Sequence, residues 1–221
     1  MKQKVYLNIL NKNQQELLPL IEHFSSDYYL VGGTAIALIL GHRESIDFDL
    51  FTFKNKNQNN TINILRSQTK LPLTTIHIAK DQSHFILNEV KLTFYNYPHK
   101  IESKKLFGAI KTPDLLTLAA MKALALGGRA KWKDYVDLYF ILNSGIELKE
   151  IIQKSKETFN KDESVFFNER IFLEQMSFYD DISYEEKVYY TEGFEVSEEV
   201  IKDYLTNISV DFLNQKLNSN F

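Results

Sequence analysis

Two aspartates separated by a single residue are the first pair in this sequence that could support chemistry. Asp47 and Asp49 lie in the segment SIDFDLF (45–51), where polar and apolar residues alternate as in a strand with one buried face. Residues two apart on a strand project from the same face, so the two carboxylates would stand together. Their mutual repulsion favours a bound divalent cation, and Mg²⁺ (or Mn²⁺) prefers such oxygen ligands. A solvated edge strand with outward-facing acids is the alternative.

A pair of glycines at the end of an apolar run is the second candidate. Gly32 and Gly33 follow YYLV (28–31) and precede Thr34, after which comes the apolar segment AIALIL (35–40). A strand that turns into a helix through glycines lets backbone amides approach an anion, and the helix N-terminus adds a favourable partial charge. Thr34 could cap this helix or donate a hydrogen bond to a phosphate. The alternative is an ordinary turn.

A lysine and an aspartate in the second half of the chain are further candidates. Lys122 is the only charged residue between Leu115 and Leu126, so a buried ammonium there would need an anionic partner such as a triphosphate or a site carboxylate. A lysine that reaches solvent from the helix surface is the alternative. Asp137 follows Lys133 by four residues, so an ordinary surface ion pair between these two is one interpretation.

The elements that must position these residues differ between the two halves of the chain. Periodicity and turn residues predict helices mixed with strands in the first hundred residues and helices thereafter. The first part has predicted helices at 11–24, 34–40 and 61–68 and predicted strands at 28–31, 45–53, 73–79, 84–87 and 90–97. The second part has predicted helices at 112–126, 131–143, 147–159, 163–178 and 197–217. The expected fold class is α+β, a mixed β-sheet with flanking helices followed by an α-helical C-terminal half.

The helix predicted from residue 112 has a distinct start signal. Thr112, Pro113 and Asp114 supply a capping hydroxyl, a first-turn proline and an early acid. The change from mixed elements to helices therefore falls between residues 98 and 112, and we expect two domains, 1–98 and 99–221.

Taken in order, these motifs resemble the nucleotidyltransferase superfamily and, more narrowly, the AbiEii/AbiGii toxin family of abortive-infection and type IV toxin–antitoxin pairs. The resemblance covers residues 28–53 and 90–143. It rests on the Gly-Gly-Thr turn, GHRES (41–45), the Asp-x-Asp strand, DLLTLAAMK (114–122) and KDYVDLYF (133–140). No residue-by-residue match extends beyond about 145. Several motifs in the same order are much more specific than any one of them.

The resemblance implies a nucleotidyltransferase core at 1–98, with the helical domain packing on the active-site cleft. It further implies transfer of an NMP from an NTP to a hydroxyl acceptor, such as the 3′ end of a tRNA, by a toxin that has a cognate antitoxin. Asp47 and Asp49 would bind the metal, Lys122 would neutralise the triphosphate, and Asp137 would contact Lys122 or the nucleotide. The implied nucleotide-binding residues are Gly32, Gly33, Thr34, Arg43 and Ser45.

One position departs from the pattern of many nucleotidyltransferases, which carry a third carboxylate on a later strand as general base. In VKLTFY (90–95) the corresponding inward position holds Thr93, and the nearby Glu89 is in the opposite strand phase. An active site with two acids is one interpretation. A catalytically degenerate domain that binds a nucleotide or a partner is another, and transfer to a small molecule or a protein hydroxyl is a third.

Charge is unevenly distributed along the chain. Residues 100–133 carry eight basic and two acidic residues, so this segment is +6 within a chain whose formal net charge is −3. A local positive field can steer a polyanion such as RNA, although a solvated lysine-rich surface has the same composition.

Composition also narrows the class of protein. The sequence is 44% hydrophobic and 25% charged, which is typical of a packed globular core. It contains no cysteine, which excludes disulfides, thiolate metal sites and cysteine nucleophiles. No apolar run approaches the roughly 20 residues of a membrane span, and no secretory signal is evident at the start. We therefore expect a cytoplasmic protein that has no membrane partner.

Overall fold

The computed structural model describes residues 4–160 and 166–218. The chain forms two compact units, one ending at Asp114 and the other beginning at Leu115. The first contains both strands and helices, and the second is helical, so the α+β fold class is confirmed.

The first unit is built on a five-stranded mixed sheet. Its helices are α1 (Lys12–Phe24), α2 (Gly32–Leu40) and α3 (Gln58–Gln68), and its strands are β1 (Tyr29–Val31), β2 (Asp47–Thr52), β3 (Leu73–Ile78), β4 (Gln82–Leu87), β5 (Val90–Asn96), β6 (Lys104–Phe107) and β7 (Ile110–Thr112). The sheet order is β1-β2-β5-β4-β3, in which β2 and β5 are parallel and the other neighbours are antiparallel. β6 and β7 form a separate hairpin that the sequence analysis did not predict.

One face of the sheet is the core of this unit. Phe48 and Leu50 of β2 are fully buried, as are Phe85 of β4 and Phe94 of β5. The ring of Phe24 from α1 lies 4.8 Å from that of Phe94, so α1 covers this apolar face. Because side chains alternate along each strand, residues one position away project from the opposite face.

The second unit consists of α4 (Leu115–Leu126), α5 (Trp132–Asn143), α6 (Leu148–Phe159), α7 (Glu169–Gln175) and α8 (Glu198–Asn218). The predicted start at Thr112 is wrong, because Thr112 ends β7 and the helix begins only at Leu115. Of the predicted helix 163–178, residues 163–165 lie outside the described part of the chain, and the observed helix α7 is shorter. Within the described residues, no helix is both long enough and apolar enough to span a membrane.

Candidate active site

The acid pair lies on the face of the sheet opposite the core. β2 alternates between half-exposed and buried positions, with Asp47 and Asp49 half-exposed and Phe48 and Leu50 buried. Burial of the two apolar residues fixes the strand phase, so both carboxylates must project from the other face. The structure therefore places the two predicted acids side by side, as the alternation of the sequence indicated.

Gly32 stands directly against one of these acids. It follows Val31, which is paired with Asp49 in the antiparallel β1–β2 ladder. Gly32 has a φ of +71°, and a β-carbon built on it would lie 2.5 Å from Asp49 Oδ2. Only glycine satisfies both the left-handed backbone and the approach of the carboxylate. The Gly-Gly turn is therefore part of the acid site and more than a connection between two elements.

Thr34 and Ser45 join the start of α2 to the start of β2. The Thr34 hydroxyl donates a hydrogen bond to the carbonyl of Asp47, and its oxygen lies 2.7 Å from Ser45 Oγ. Since Thr34 has one hydroxyl proton and gives it to Asp47, Ser45 is the donor to Thr34. The prediction that Thr34 caps the helix is wrong, because α2 begins at Gly32 and Val31 is in the N-cap position without a side-chain bond.

Arg43 is buried in the segment that leads to the acid strand. Only 4% of the residue is exposed, and its Nη1 donates to the carbonyl of Glu44 at 2.9 Å. The neighbouring His42 is fully buried. Gly33 lies in the first turn of α2, where its amide is one of those without a partner inside the helix. The first unit thus brings together the predicted residues Gly32, Gly33, Thr34, Ser45, Asp47 and Asp49, and Arg43 lies in the segment that leads into this group.

The position of the absent third acid is now defined by the sheet register. Thr93 of β5 is paired with Asp49 of β2, so its side chain is on the acid face. On its other side Thr93 is paired with His84 of β4, and its Oγ1 lies 3.3 Å from His84 Nδ1. Glu89 lies in the β4–β5 turn and accepts a hydrogen bond from Asn13 of α1 at 3.0 Å, so it does not supply the third carboxylate.

His84 was not among the predicted site residues, although the sequence contains the signal. Only Asn88 and Glu89 separate the strands β4 and β5, and both have the positive φ of a tight hairpin turn. A two-residue turn fixes the register and so places His84 opposite Thr93. Burial lowers the pKa of His84 below its ordinary value. The neighbouring Lys91 and His77 act in the same direction, and Asp49 opposes the shift.

In the second unit, Lys122 of α4 is held by two carboxylates of α5. Its Nζ lies 2.7 Å from Asp134 Oδ1 and 2.8 Å from Asp137 Oδ2, and both aspartates are fully buried. Burial alone would lower the pKa of Lys122, but the two carboxylates outweigh it and raise the pKa above its ordinary value. The proposed Lys133–Asp137 surface pair is wrong, because Lys133 pairs instead with Glu186.

Asp134 is the member of this cluster that the sequence analysis missed. It lies three residues before Asp137, so both project from one side of α5. Its second oxygen lies 3.5 Å from Arg129 Nε. The signal was the spacing of two acids on an otherwise apolar helix face, opposite a helix whose only charge is Lys122.

Comparison of the sequence with known proteins identifies the family of this chain. The sequence model of a family described as "Nucleotidyl transferase AbiEii toxin, Type IV TA system" matches residues 20–203 of the 221. The chain belongs to the AbiEii nucleotidyltransferase toxin family. This AbiEii-family protein is also 34% identical over 158 residues to an uncharacterized protein of Aquifex aeolicus (strain VF5). That match covers 68% of this chain and 76% of the other.

Two solved structures described as nucleotidyltransferases have a similar fold. MenT4, a nucleotidyltransferase toxin of Mycobacterium tuberculosis H37Rv, superposes with a TM-score of 0.59 at 13% identity, covering 89% of this chain and 82% of that one. A protein of H. pylori assigned as a nucleotidyltransferase superposes with a TM-score of 0.54 at 13% identity, covering 95% and 96%. At such identities the likeness shows the fold alone.

In this AbiEii-family protein the acid pair fits a hard divalent cation by the chemistry of its donors. Asp47 and Asp49 offer only oxygen atoms on one half-exposed face, and Gly32 leaves the space that Asp49 Oδ2 needs. Among the described residues, no group of three or more His, Cys, Asp or Glu side chains is arranged to hold a metal. A cation bound by the pair would complete its shell with water and phosphate oxygens, as Mg²⁺ commonly does.

The lysine-rich segment of the AbiEii-family protein is divided between its two units. Lys122, Arg129, Lys131 and Lys133 of the second unit all form ion pairs with acids of that unit. The first unit holds the other four basic residues of this segment, which are Lys100, Lys104, Lys105 and Lys111. They lie on the β6–β7 hairpin and in the segment before it. Among the residues that the structure describes, none of these four lysines has an ion-pair partner. Within residues 100–133, the lysines without an ion pair are therefore those of the hairpin and the segment before it.

Proposed function

We propose that this AbiEii-family protein is a metal-dependent nucleotidyltransferase that moves an NMP from an NTP to a hydroxyl of RNA, such as a tRNA 3′ end. The observation that carries the proposal is the contact between Gly32 and Asp49, which joins the phosphate-binding turn to the acid pair. A helix start and two aligned carboxylates in such contact suit a nucleoside triphosphate and its cation.

Each group of residues in the site is proposed to have a separate role. The free amides at the start of α2, including that of Gly33, bind phosphate oxygens. Asp47 and Asp49 hold a divalent cation, which when bound neutralises phosphate charge and favours departure of pyrophosphate. Thr34 and Ser45 have a positioning role, because the hydrogen bonds of their hydroxyls hold the start of α2 against the start of β2.

Lys122 is proposed, as the family resemblance implies, to neutralise triphosphate charge. Its ammonium stays protonated because Asp134 and Asp137 raise its pKa. Its contacts are already filled by these carboxylates, so a phosphate oxygen must share the ammonium with them or displace one. The pair Asp134 and Asp137 would then position the lysine and would not themselves touch the nucleotide.

The acceptor is proposed to be a polyanion because of the β6–β7 hairpin. Lys104 and Lys105 are exposed and Lys111 is half-exposed, all within one short hairpin. Phosphate neutralisation by lysines supplies most of the sequence-independent affinity for nucleic acid. This surface favours RNA over an uncharged small molecule or a protein hydroxyl.

Labelling with each of the four α-³²P NTPs and Mg²⁺ tests the proposal. Purified protein is given total RNA, a protein extract or a small-molecule extract, and label is expected only in the RNA. The double variant Asp47→Asn, Asp49→Asn should lose labelling, and Asp81→Asn, an exposed acid between β3 and β4, is the matched control. Label in the protein or small-molecule fraction would replace the acceptor, and absence of label with every NTP would refute transfer.

The toxin role has its own test in cells. Expression of the wild-type chain should slow growth, and the Asp47→Asn, Asp49→Asn variant should not. Co-expression of the protein encoded beside it, the proposed antitoxin, should restore growth. Equal inhibition by the wild type and the double variant would show that slowed growth does not depend on the acid pair.

A further inference from the structure

A row of polar side chains crosses the sheet on the face that carries the acid pair. Asp49 of β2 is paired with Thr93 of β5, Thr93 with His84 of β4, and His84 with His77 of β3. Directly opposed residues on neighbouring strands project from the same face. Asp49 and His84 therefore flank Thr93, which occupies the position expected for the third acid of many nucleotidyltransferases.

His84 is held in this row by the backbone and by one side chain. It is half-buried, Thr93 is only 9% exposed, and the two are joined by the 3.3 Å contact between His84 Nδ1 and Thr93 Oγ1. If Nδ1–H donates to Thr93, the lone pair of a neutral imidazole is on Nε2. The hydrogen bond to Thr93 then fixes the tautomer and the orientation of the ring, as hydrogen-bond partners of functional histidines commonly do.

We propose that His84 is the general base of the transfer, with Thr93 as its positioning residue. The proposal rests on the nucleotidyl transfer proposed above. The acceptor hydroxyl gives its proton to Nε2 of His84, and the oxygen forms a bond to the α-phosphorus of the NTP. The bond from that phosphorus to the bridging oxygen breaks, pyrophosphate leaves with the electron pair, and the imidazolium returns its proton to solvent.

The distances within a sheet suit this role. Neighbouring strands lie about 4.8 Å apart, so the backbones of Asp49 and His84 are separated by roughly 10 Å across β5. A hydroxyl placed beside the acid pair above Thr93 would lie between the two side chains. His84 has a longer side chain than Thr93 and would supply the proton acceptor from β4, in place of a carboxylate on β5.

The surroundings of His84 favour its neutral form, which can accept a proton. The charged or titratable groups that face it are Lys91 of β5, His77 of β3 and Asp49 of β2, and burial together with the first two lowers its pKa despite Asp49. His84 is therefore neutral near pH 7. Below its pKa the ring is protonated and cannot act as a base, so the rate of transfer should fall as the pH is lowered.

Initial rates of label transfer from saturating α-³²P NTP to total RNA test the base. His84→Gln should lower the rate about 10²- to 10⁴-fold, with the KM for NTP changed by less than about threefold because the NTP contacts remain. His77→Gln, an exposed histidine on the neighbouring strand, should keep the wild-type rate at the upper pH plateau. The acid-side fall of the pH profile should disappear in His84→Gln and persist in His77→Gln.

Thr93 is tested by a pair of substitutions. Thr93→Val should lower the rate about tenfold and change the pH profile, since the ring loses its acceptor, and Thr93→Ser should restore both. If His84→Gln is as active as His77→Gln, the base role is overturned but the proposed transferase function stands. A wild type that labels nothing would instead overturn the proposed function, and the base role with it.

A measurement without turnover separates the base role from a merely structural one. Long-range ¹H–¹⁵N NMR of the wild-type protein should show a neutral His84 with the proton on Nδ1, and Thr93→Val should shift the ring toward the other tautomer. A proton found on Nε2 in the wild type would refute the proposal whatever the activity of the variants.

Discussion

A β-carbon at position 32 would lie 2.5 Å from Oδ2 of Asp49, and the backbone of Gly32 has a φ of +71°. Either fact alone favours glycine, and together they tie the start of α2 to the acid strand. The proposed phosphate-binding turn and the proposed metal ligands therefore cannot be altered independently of one another.

We expect Gly32→Ala to lose both stability and activity. The left-handed backbone costs an alanine roughly 1 kcal/mol, and displacement of the Asp49 carboxylate adds roughly 1–3 kcal/mol. Gly193→Ala is the matched control, because Gly193 has a φ of +86° and no atom within 4 Å of the added carbon. Denaturant unfolding measures the loss of stability, and transfer of label from α-³²P NTP to RNA measures the loss of activity. Equal losses in the two variants would show that the contact with Asp49 is unimportant.

Lys122→Met should strongly destabilise the protein, because it leaves Asp134 and Asp137 as buried carboxylates without their ammonium. Removing one partner of a buried pair costs roughly 3–5 kcal/mol. Asp134→Asn should cost less, since Lys122 keeps Asp137. Lys149→Met removes a lysine from an exposed pair with Glu147 and should change stability little.

The pH dependence of this loss follows from the raised pKa of Lys122. A raised folded-state pKa gives stability that is fully present below the ordinary value of 10.5 and is lost only as the pH rises through the folded-state pKa. The difference in unfolding free energy between wild type and Lys122→Met should therefore be constant from about pH 6 to pH 9. A Lys122→Met variant as stable as Lys149→Met would contradict the structural role of the cluster.

Glu169 should contribute stability to the second unit that disappears in acid. At the start of α7 it pairs with Lys156 of α6 and Lys216 of α8, and its side chain is 13% exposed. Burial alone would raise the pKa of Glu169, but hydrogen bonds from the two lysines outweigh it and lower the pKa. Glu169→Gln should therefore cost roughly 1–3 kcal/mol at pH 7.

A lowered pKa fixes the direction of the acid effect at Glu169. The stabilisation is present above the ordinary value of 4.5 and is lost as the pH falls through the folded-state pKa, so wild type and Glu169→Gln should converge in acid. Glu174→Gln, which removes an exposed pair with Arg170, is the control and should change little. Curves that stay parallel in acid would show that Glu169 acts through packing.

The position of the acid pair could be predicted because the burial of two apolar residues on the same strand determines it. Only one strand phase buries Phe48 and Leu50, and that phase places Asp47 and Asp49 together on the other face. The helix–strand order followed from the same kind of pattern. The β6–β7 hairpin was missed because its strands have only four and three residues and carry three lysines, so they show no apolar alternation.

The partners of single side chains were harder to predict, because they depend on packing between elements distant in sequence. Lys122 could be expected to need an anion, but its choice of Asp134 and Asp137 depends on how α4 packs against α5. Thr93 could be placed opposite Asp49 only once β2 and β5 were known to be parallel neighbours. The pairing of His84 with Thr93 is different, because the two-residue turn at 88–89 determines it locally.

The hairpin lysines offer a test of the RNA surface that leaves the acid site unchanged. Lys104→Glu with Lys105→Glu should weaken binding of total tRNA at least tenfold at about 0.1 M salt, since two phosphate contacts become repulsive. The slope of log K against log salt should also fall by roughly 1.5. Lys12→Glu with Lys70→Glu makes the same charge change at exposed sites outside the hairpin and is the control. Equal weakening by both pairs in filter binding would mean that net charge, and not the hairpin, governs the affinity for RNA.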